Sequence, residues 1–503
     1  MIDTNVIGGP VHVPEARLDL RRHVEAVLAR FADDIVAVLL PLASLRTAGN
    51  LLQAEETLRR LLGVVAAHLV GGLIAWMHAD SRWTSEMIAG VRGADGRKLR
   101  HRGLRVTVIE FLGGAALRVL TPYFTVNRNG LPGRRREVGR RGEAGGGCFP
   151  VLEALGIHHQ ASPALASEVA RESVRCASFA EAGIALGERG MHFDAKGVRT
   201  IAMSVGAAAL HQRERRIAVA RAGVVFSDEF AGQRIVISVD GGRVRLREAG
   251  QHGRRGKRGR RRYQTPWREP KLFVVYIINR KGRKIACRCP LYDGTLGDAD
   301  QIFELLIAEL KLRGAAQARQ IVVIGDGALW IWNRAEDLAK ALNLAPERII
   351  RVADFYHAVE HLTAIAELRA GWSDAQRGRW VATMRQRLKK GKVDEVIEDA
   401  RRLCHGRSAK QIATHVAYFE DRREFMRYDE FRRRGIPLGS GAVESAVRRI
   451  INLRLKGPAI FWRQQSAEAM LHLRAYLKAG RWNELVQRIM HRSPDGKQAK
   501  AAA

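Results

Sequence analysis

The sequence predicts an α/β protein in which a mixed sheet is set among helical regions. Three observations lead there. Between residues 234 and 354 several short apolar runs of strand length recur, among them "RIVISVD", "KLFVVYIIN" and "RQIVVIGDG". The early runs follow one another directly, while the later ones alternate with helical stretches, an order that gives neither an all-parallel nor an all-antiparallel sheet. On both sides of this region the apolar residues return at helical spacing.

The elements follow in order. Over 17–48, Leu20, Val24, Val27, Leu28, Phe31 and Ile35 keep to one helix face, and a second helical stretch runs to about residue 90. "LLGVVAAHLVGGLIAWM", Leu61 to Met77, is the nearest approach to a membrane span, but His68 and two glycines interrupt it. A buried helix is the expectation. "RVTVIEF" and "LRVLTPYF" predict two strands parted by Gly113 and Gly114. The Gly/Arg-rich segment 127–147 reads as a solvated loop or a phosphate contact.

Residues 160–222 return to helix, with a helix-turn-helix candidate at 178–206. Ser178 and Glu181 form a capping box at its start. Gly190 falls near the turn, Val198 and Ile201 are placed to pack the second helix on the first, and Lys196 and Arg199 make that second helix basic. Such a helix either enters a major groove or belongs to a plain helical hairpin.

From 230 onward, strands are expected at 234–240, 243–248, 271–279 and 283–289. The helix "ADQIFELLIAELKLRG", the strand 319–327, the helix "AEDLAKAL" and the strand 347–354 come next. Helix then fills 355–434, and helices over 443–455, 463–478 and 481–491 close the chain. About three early strands followed by helix–strand–helix–strand is the order of a ribonuclease-H-like domain. The expected domains are a helical N-terminal region at 1–103 and a strand pair with a helical, DNA-binding region at 104–230. A catalytic domain is assembled from 231–354 and 435–492 around a helical insertion at 355–434, and a disordered tail occupies 493–503.

The 503 residues carry 85 Lys and Arg against 52 Asp and Glu, a net charge of +33. An excess of this size implies a polyanionic partner, nucleic acid before an anionic membrane surface. With 46% apolar residues the chain is not a disordered one. The five cysteines, Cys148, Cys176, Cys287, Cys289 and Cys404, show neither a disulfide framework nor a zinc quartet, which fits a reducing compartment. The N-terminus lacks the basic start and apolar core of a signal peptide.

Two strands end alike. "VISVDGG" presents Asp240 and "VVIGDGA" presents Asp326. A carboxylate at the C-terminal end of a strand sits where open α/β sheets place their ligands. Alone, either aspartate reads as a turn former; two in one sheet of a highly basic protein read as a site. A third acidic group completes a set for two Mg²⁺ ions, hard cations that prefer oxygen. The candidate is Glu444, in "GSGAVESAVRRIINL", whose other reading is an ion pair with Arg448.

The motifs "VDGGRVRLRE", "TPWREPKLFVVYI", "IGDGALWIW", "DFYHAVEHL" and "GSGAVESAVRRIINLRLKGPAIFW" resemble those of DDE transposases of bacterial insertion sequences, of the ISKra type allied to the Mutator-like superfamily. The likeness covers about 230–485, with a weaker one over 150–225. It implies a ribonuclease-H-like core with Asp240, Asp326 and Glu444 as catalytic metal ligands. Asp354 and His357 of "DFYH" would support the site, and two Mg²⁺ ions, replaceable by Mn²⁺, would serve as cofactors. The implied partners are double-stranded DNA at element ends and target, and further copies of the chain in a dimer or larger assembly. The implied location is the bacterial cytoplasm, at the nucleoid. Relatives often carry a Cys-x-x-Cys knuckle ahead of "GGGCFPVLEALG"; here only Cys148 stands there.

The basic cluster Arg254, Arg255, Lys257, Arg258, Arg260, Arg261 and Arg262 is expected to clamp DNA phosphates beside Asp240, with Lys456 and Arg454 flanking the glutamate helix. Trp267, Trp330 and Trp332 read as core residues, the last two alternatively as stacking partners for an unpaired base. His357 and His361 share a helix face, where they pack, hydrogen-bond or join Asp354 on zinc. The activity expected is metal-dependent strand cleavage and strand transfer. A structure-selective nuclease of the same fold and a non-catalytic DNA-binding derivative are the alternatives.

Overall fold

The computed structural model describes residues 20–41, 47–89, 99–126, 147–249 and 263–490. The arginine-rich cluster at 254–262, most of the Gly/Arg segment at 127–147 and the tail lie outside them. The chain divides into two compact units, residues 1–205 with 486–503, and residues 206–485.

In the first unit, α1 (Leu20–Leu39), α2 (Ala48–Ala79) and α3 (Ser81–Ala89) precede a hairpin of β1 (Leu99–Glu110) and β2 (Ala116–Val126). Thr47 caps α2, its hydroxyl accepting from Asn50 N at 3.2 Å. The helices bury one face on the hairpin: Val27, Phe31, Val64 and Ile74 meet Ile109, Leu117 and Val119. By length and composition α2 also satisfies the requirement for a membrane span. Its His78 is buried, with Nε2 3.0 Å from Thr121 Oγ1.

After α4 (Pro150–Ala154) and α5 (Pro163–Arg175), the expected helix pair forms as α6 (Phe179–Gly187) and α7 (Ala195–Arg221). Ser178 caps Glu181 N at 3.0 Å, while Glu181 reaches back to Ala177 N at 2.8 Å, one residue earlier than in the standard capping box. Gly190 turns the chain with φ +82. Ala182, Leu186, Val198 and Ile201 are buried, and Lys196 and Arg199 are exposed.

The second unit holds the sheet. Its strands are β3 (Arg234–Gly241), followed by the short β4 (Val244–Arg245), β5 (Glu248–Ala249), β6 (Tyr263–Gln264) and β7 (Trp267–Arg268), then β8 (Lys271–Ile278) and β9 (Leu291–Thr295). Helix α8 (Ala299–Leu312) leads to β10 (Gln320–Gly325). Helices α9 (Leu329–Trp332) and α10 (Ala335–Ala341) lead to β11 (Ile349–Ala353). Five strands form one mixed sheet in the order β11-β10-β3-β8-β9. β3, β10 and β11 run parallel, and β8 is antiparallel to both of its neighbours.

Strand alternation divides the two sheet faces. Ile235, Ile237 and Val239 of β3 join Phe273, Val275 and Ile277 of β8 and pack on Ile302 and Leu306 of α8. The residues between them, ending at Asp240, therefore face the other side.

Two expected strands change. The run 283–289 is not a strand. Asn279 Oδ1 accepts from Lys281 N at 2.9 Å and Arg283 N at 3.1 Å, which turns the chain, and Cys287 and Cys289 are exposed. The strand that pairs with β8 is instead β9, five residues buried throughout. The run 243–248 leaves the main sheet as the ribbons β4–β7 and β5–β6.

The stretch 355–434 is helical as expected, in α11 (Phe355–Glu367), α12 (Asp374–Lys389), α13 (Val393–Arg402), α14 (Ala409–Asp421) and α15 (Tyr428–Arg433). Then α16 (Gly441–Val447) packs on β3 and β8 and runs into a π-helical turn at Arg448–Asn452. A π turn leaves carbonyls out of register with the helix ladder. Arg474, from α17 (Gln464–Ala479), is buried and donates to two of them, to Ile450 O at 2.8 Å and to Arg449 O. The last helix is α18 (Trp482–Met490).

Candidate active site

Asp240 and Asp326 each lie two residues past the paired residues Ser238 and Ile324 of the parallel strands β3 and β10. Neighbouring strands are about 4.8 Å apart, so both aspartates emerge at the same sheet edge. Asp240 Oδ1 accepts from Gly241 N at 2.7 Å, and Asp326 Oδ1 accepts from Ala328 N at 2.9 Å. Both line a cavity of about 400 Å³ that also takes in Gly241, Gly242, Arg243, Glu269, Trp330, Asn452 and Lys456.

Burial raises the carboxyl of Asp240 to about 6, and the negative charges of Asp326, Glu444 and Glu269 add to the shift. Three carboxylates thus act on the half-buried Asp240, a charge arrangement that costs the fold free energy when Asp240 ionises. Glu269 was not a sequence candidate. It reaches the site because residue 241 is glycine: a Cβ there would lie 2.3 Å from Glu269 Oε1.

Glu444 stands exposed near the start of α16. Its Oε1 is 3.1 Å from Ser440 Oγ. Ser440 in turn gives its backbone N–H to Asp354 Oδ2 at 2.5 Å and bonds the same oxygen through its hydroxyl. Asp354 is 1% exposed and caps α11, its Oδ1 accepting from Tyr356 N at 2.6 Å and His357 N at 3.2 Å. It connects the end of β11 to the start of the helix that carries Glu444.

His357 Nδ1 lies 3.0 Å from Glu360 Oε2. His361 stacks on Tyr418 at 3.8 Å, and its Nδ1 is 2.8 Å from His415 Nδ1. Burial pushes His361 down to about 4, helped by His357, His415 and Arg422. Since both oxygens of Asp354 are taken by backbone amides and Ser440, the zinc set of His357, His361 and Asp354 does not converge.

Arg422 is a second residue that sequence reading missed. It follows α14 and donates Nε to Gly327 O at 2.9 Å, with its guanidinium 4.6 Å from the Tyr418 ring centroid. Gly327 has φ +96, and a Cβ there would lie 2.2 Å from Arg422 Nε. The helical insertion thereby grips the turn that carries Asp326.

The tryptophans separate. Trp332 is 5% exposed and stacks on Phe425 at 5.0 Å, so it is core and not available to a base. Trp330 is half-buried at the cavity wall, with Lys271 Nζ 5.7 Å from its ring centroid. Trp267 is 48% exposed, contrary to the expectation of core. Lys456 is exposed on the cavity rim, whereas Arg454 is buried, 5.1 Å from the Trp462 ring centroid.

The donor chemistry is all oxygen, which suits a hard divalent cation. Among the described residues no three His, Cys, Asp or Glu side chains are placed so as to hold one metal ion. Each of the three expected ligands is engaged locally, with Gly241 N, Ala328 N or Ser440 Oγ. Side-chain rotation is what sharing a cation requires of them. In comparison with known proteins, no family model, no curated protein and no solved structure matches the chain.

Proposed function

We propose that the chain is a DDE-type DNA transposase with a ribonuclease-H-like core. One observation carries the reading. Two parallel neighbouring strands deliver Asp240 and Asp326 to one cavity, where burial and acidic neighbours hold Asp240 at about 6. The strand order supports the fold assignment, since three sequential strands precede two more that are reached through helices, with the second strand antiparallel to the rest. The net charge of +33 supports a nucleic-acid substrate.

In this reading Asp240, Asp326 and Glu444 would hold two Mg²⁺ ions, for which Mn²⁺ would substitute. Such ions would supply Lewis-acid stabilisation of the charge that builds in an in-line displacement. The chain's own groups do the rest. Arg243 and Lys456 on the cavity rim bind the phosphates flanking the scissile bond, and Lys196 and Arg199 bind DNA elsewhere. Asp354 holds the glutamate helix in place through Ser440. Hydrolysis breaks a P–O bond at the element end and leaves a 3′-hydroxyl. That hydroxyl then attacks a target phosphodiester, so one P–O bond forms as another breaks. Two ends cut together call for a dimer or larger assembly on DNA, in the bacterial cytoplasm.

The test is a cleavage and joining assay in Mg²⁺ or Mn²⁺ on the DNA flanking the coding region, with Asp326→Asn as control. Metal-dependent nicking with joined products is the expected result. Nicking without joining points to a structure-selective nuclease of the same fold. Binding without cutting in either metal points to a non-catalytic DNA-binding protein.

A further inference from the structure

Beyond Asp240 the chain leaves the sheet as a strip, residues 243–247, with strict alternation. Val244 and Leu246 are buried, at 0% and 3% exposure, while Arg243 and Arg247 are exposed and Arg245 is partly so. The strip is pinned on both sides. Leu246 N donates to Pro266 O at 3.1 Å, Arg247 N to Trp462 O at 2.7 Å, and Trp462 N to Arg245 O at 3.1 Å. The three arginines therefore share one face, about 6.8 Å apart along the strand. Arg243, the first, lines the Asp240 cavity.

Two aromatic rings lie on the same ribbons. Arg245 pairs across with Trp267, and its guanidinium is 4.7 Å from the indole centroid. The guanidinium of Arg247 is 3.9 Å from the Tyr263 centroid, and Phe461 meets Tyr263 edge-on at 6.1 Å. Yet Trp267 is 48% and Tyr263 42% exposed. Each ring has an arginine over one face and open surface elsewhere. A guanidinium stacked on a ring keeps its N–H groups in plane and free to reach an anion. Among the described residues no carboxylate pairs with Arg243, Arg245 or Arg247, whereas Arg268 is taken by Glu248 at 2.6 Å.

We propose that this face is a track for single-stranded nucleic acid, with unpaired bases stacked on Trp267 and Tyr263 and the phosphates held by Arg243, Arg245 and Arg247. The chemistry selects the partner. Alternating negative charge and flat rings match a strand whose bases are unstacked. A duplex hides its base faces, and an acidic peptide lacks them. The naming of the strand as the cavity's substrate rests on the function proposed above; the binding itself needs neither metal nor chemistry.

The experiment uses the full chain in EDTA and an oligothymidylate containing one 2-aminopurine, single-stranded or annealed to its complement. Expected are quenching of 2-aminopurine on binding, preference for the single strand, and roughly tenfold weaker binding for each of Trp267→Ala and Tyr263→Ala. Trp267→Phe should restore most of the loss. Unchanged affinity in the Trp267→Ala/Tyr263→Ala double variant would overturn the proposal. So would a duplex preference independent of the rings, or equal competition by polyglutamate. Failure here with Asp326-dependent cleavage intact removes the track and leaves the function; a working track without cleavage does the reverse.

Discussion

Asp354 and Ser440 are joined twice through one carboxylate oxygen, which accepts both the backbone N–H and the hydroxyl of the serine. The link spans the end of β11 and the start of α16, and its far side is Glu444, 3.1 Å from the same hydroxyl. A buried carboxylate with four donors is costly to remove, because each donor loses its partner.

Asp354→Asn is therefore expected to destabilise the protein. An amide nitrogen in place of Oδ2 cannot accept from Ser440, and about 2–4 kcal/mol should be lost for the two bonds. Ser440→Ala, which keeps the backbone bond, should cost about 1 kcal/mol and slow strand cleavage less than Asp354→Asn does. Urea unfolding and cleavage rates on both variants check this. Equal losses of stability in the two would mean that the hydroxyl, not the amide, carries the link.

Asp326→Asn should abolish cleavage, by about a thousandfold or more, with DNA affinity nearly unchanged. Since Asn still accepts from Ala328 N, the turn should survive. Cleavage that persists in this variant removes Asp326 from the site.

How much of this was readable beforehand follows from what each residue depends on. Asp240 and Asp326 were legible because an apolar strand ending in Asp-Gly is a local pattern with one structural consequence. Glu444 was legible only beside the two aspartates, which called for a third acidic group, since a glutamate near a helix start is otherwise ordinary. Glu269 and Arg422 were not legible. Glu269 enters the cavity through the missing side chain of Gly241, and Arg422 meets Gly327 across 95 residues of sequence. Strand β9, "LYDGT", hid for a related reason. Its Asp and Gly are poor strand formers, and it is held by pairing with β8, with buried Asp293 bonded to His472 at 2.8 Å. The run at 283–289 had the better composition and lost to the turn at Asn279.

Arg422→Ala should leave the fold intact and slacken the Asp326 turn. Losing a charge-assisted bond to Gly327 O should cost about 1.5–3 kcal/mol locally. Cleavage is expected to fall about tenfold to a hundredfold, with faster amide exchange at 326–328. A fall in global stability without any change in exchange at the turn would assign Arg422 to packing against Tyr418 alone.

Asp240 gives a pH signature. An acid whose folded pKa is raised holds its proton more tightly folded than unfolded. Its contribution to stability is complete below about pH 4, the unfolded value, and is lost as the pH rises through about 6. Ionising it costs the folded state up to about 3 kcal/mol by pH 8. Asp240→Asn removes that charge and keeps an acceptor for Gly241 N. The variant should therefore be more stable than the parent at pH 8, equal to it at about pH 3.5, and inactive. Added Mg²⁺ should stabilise the parent at pH 8 and leave the variant unmoved. Thermal unfolding at the two pH values, with and without Mg²⁺, decides it. A variant less stable than the parent at pH 8 would show that the Asp240 charge is already compensated within the fold, and the case for a cation at this cavity would lose its energetic basis.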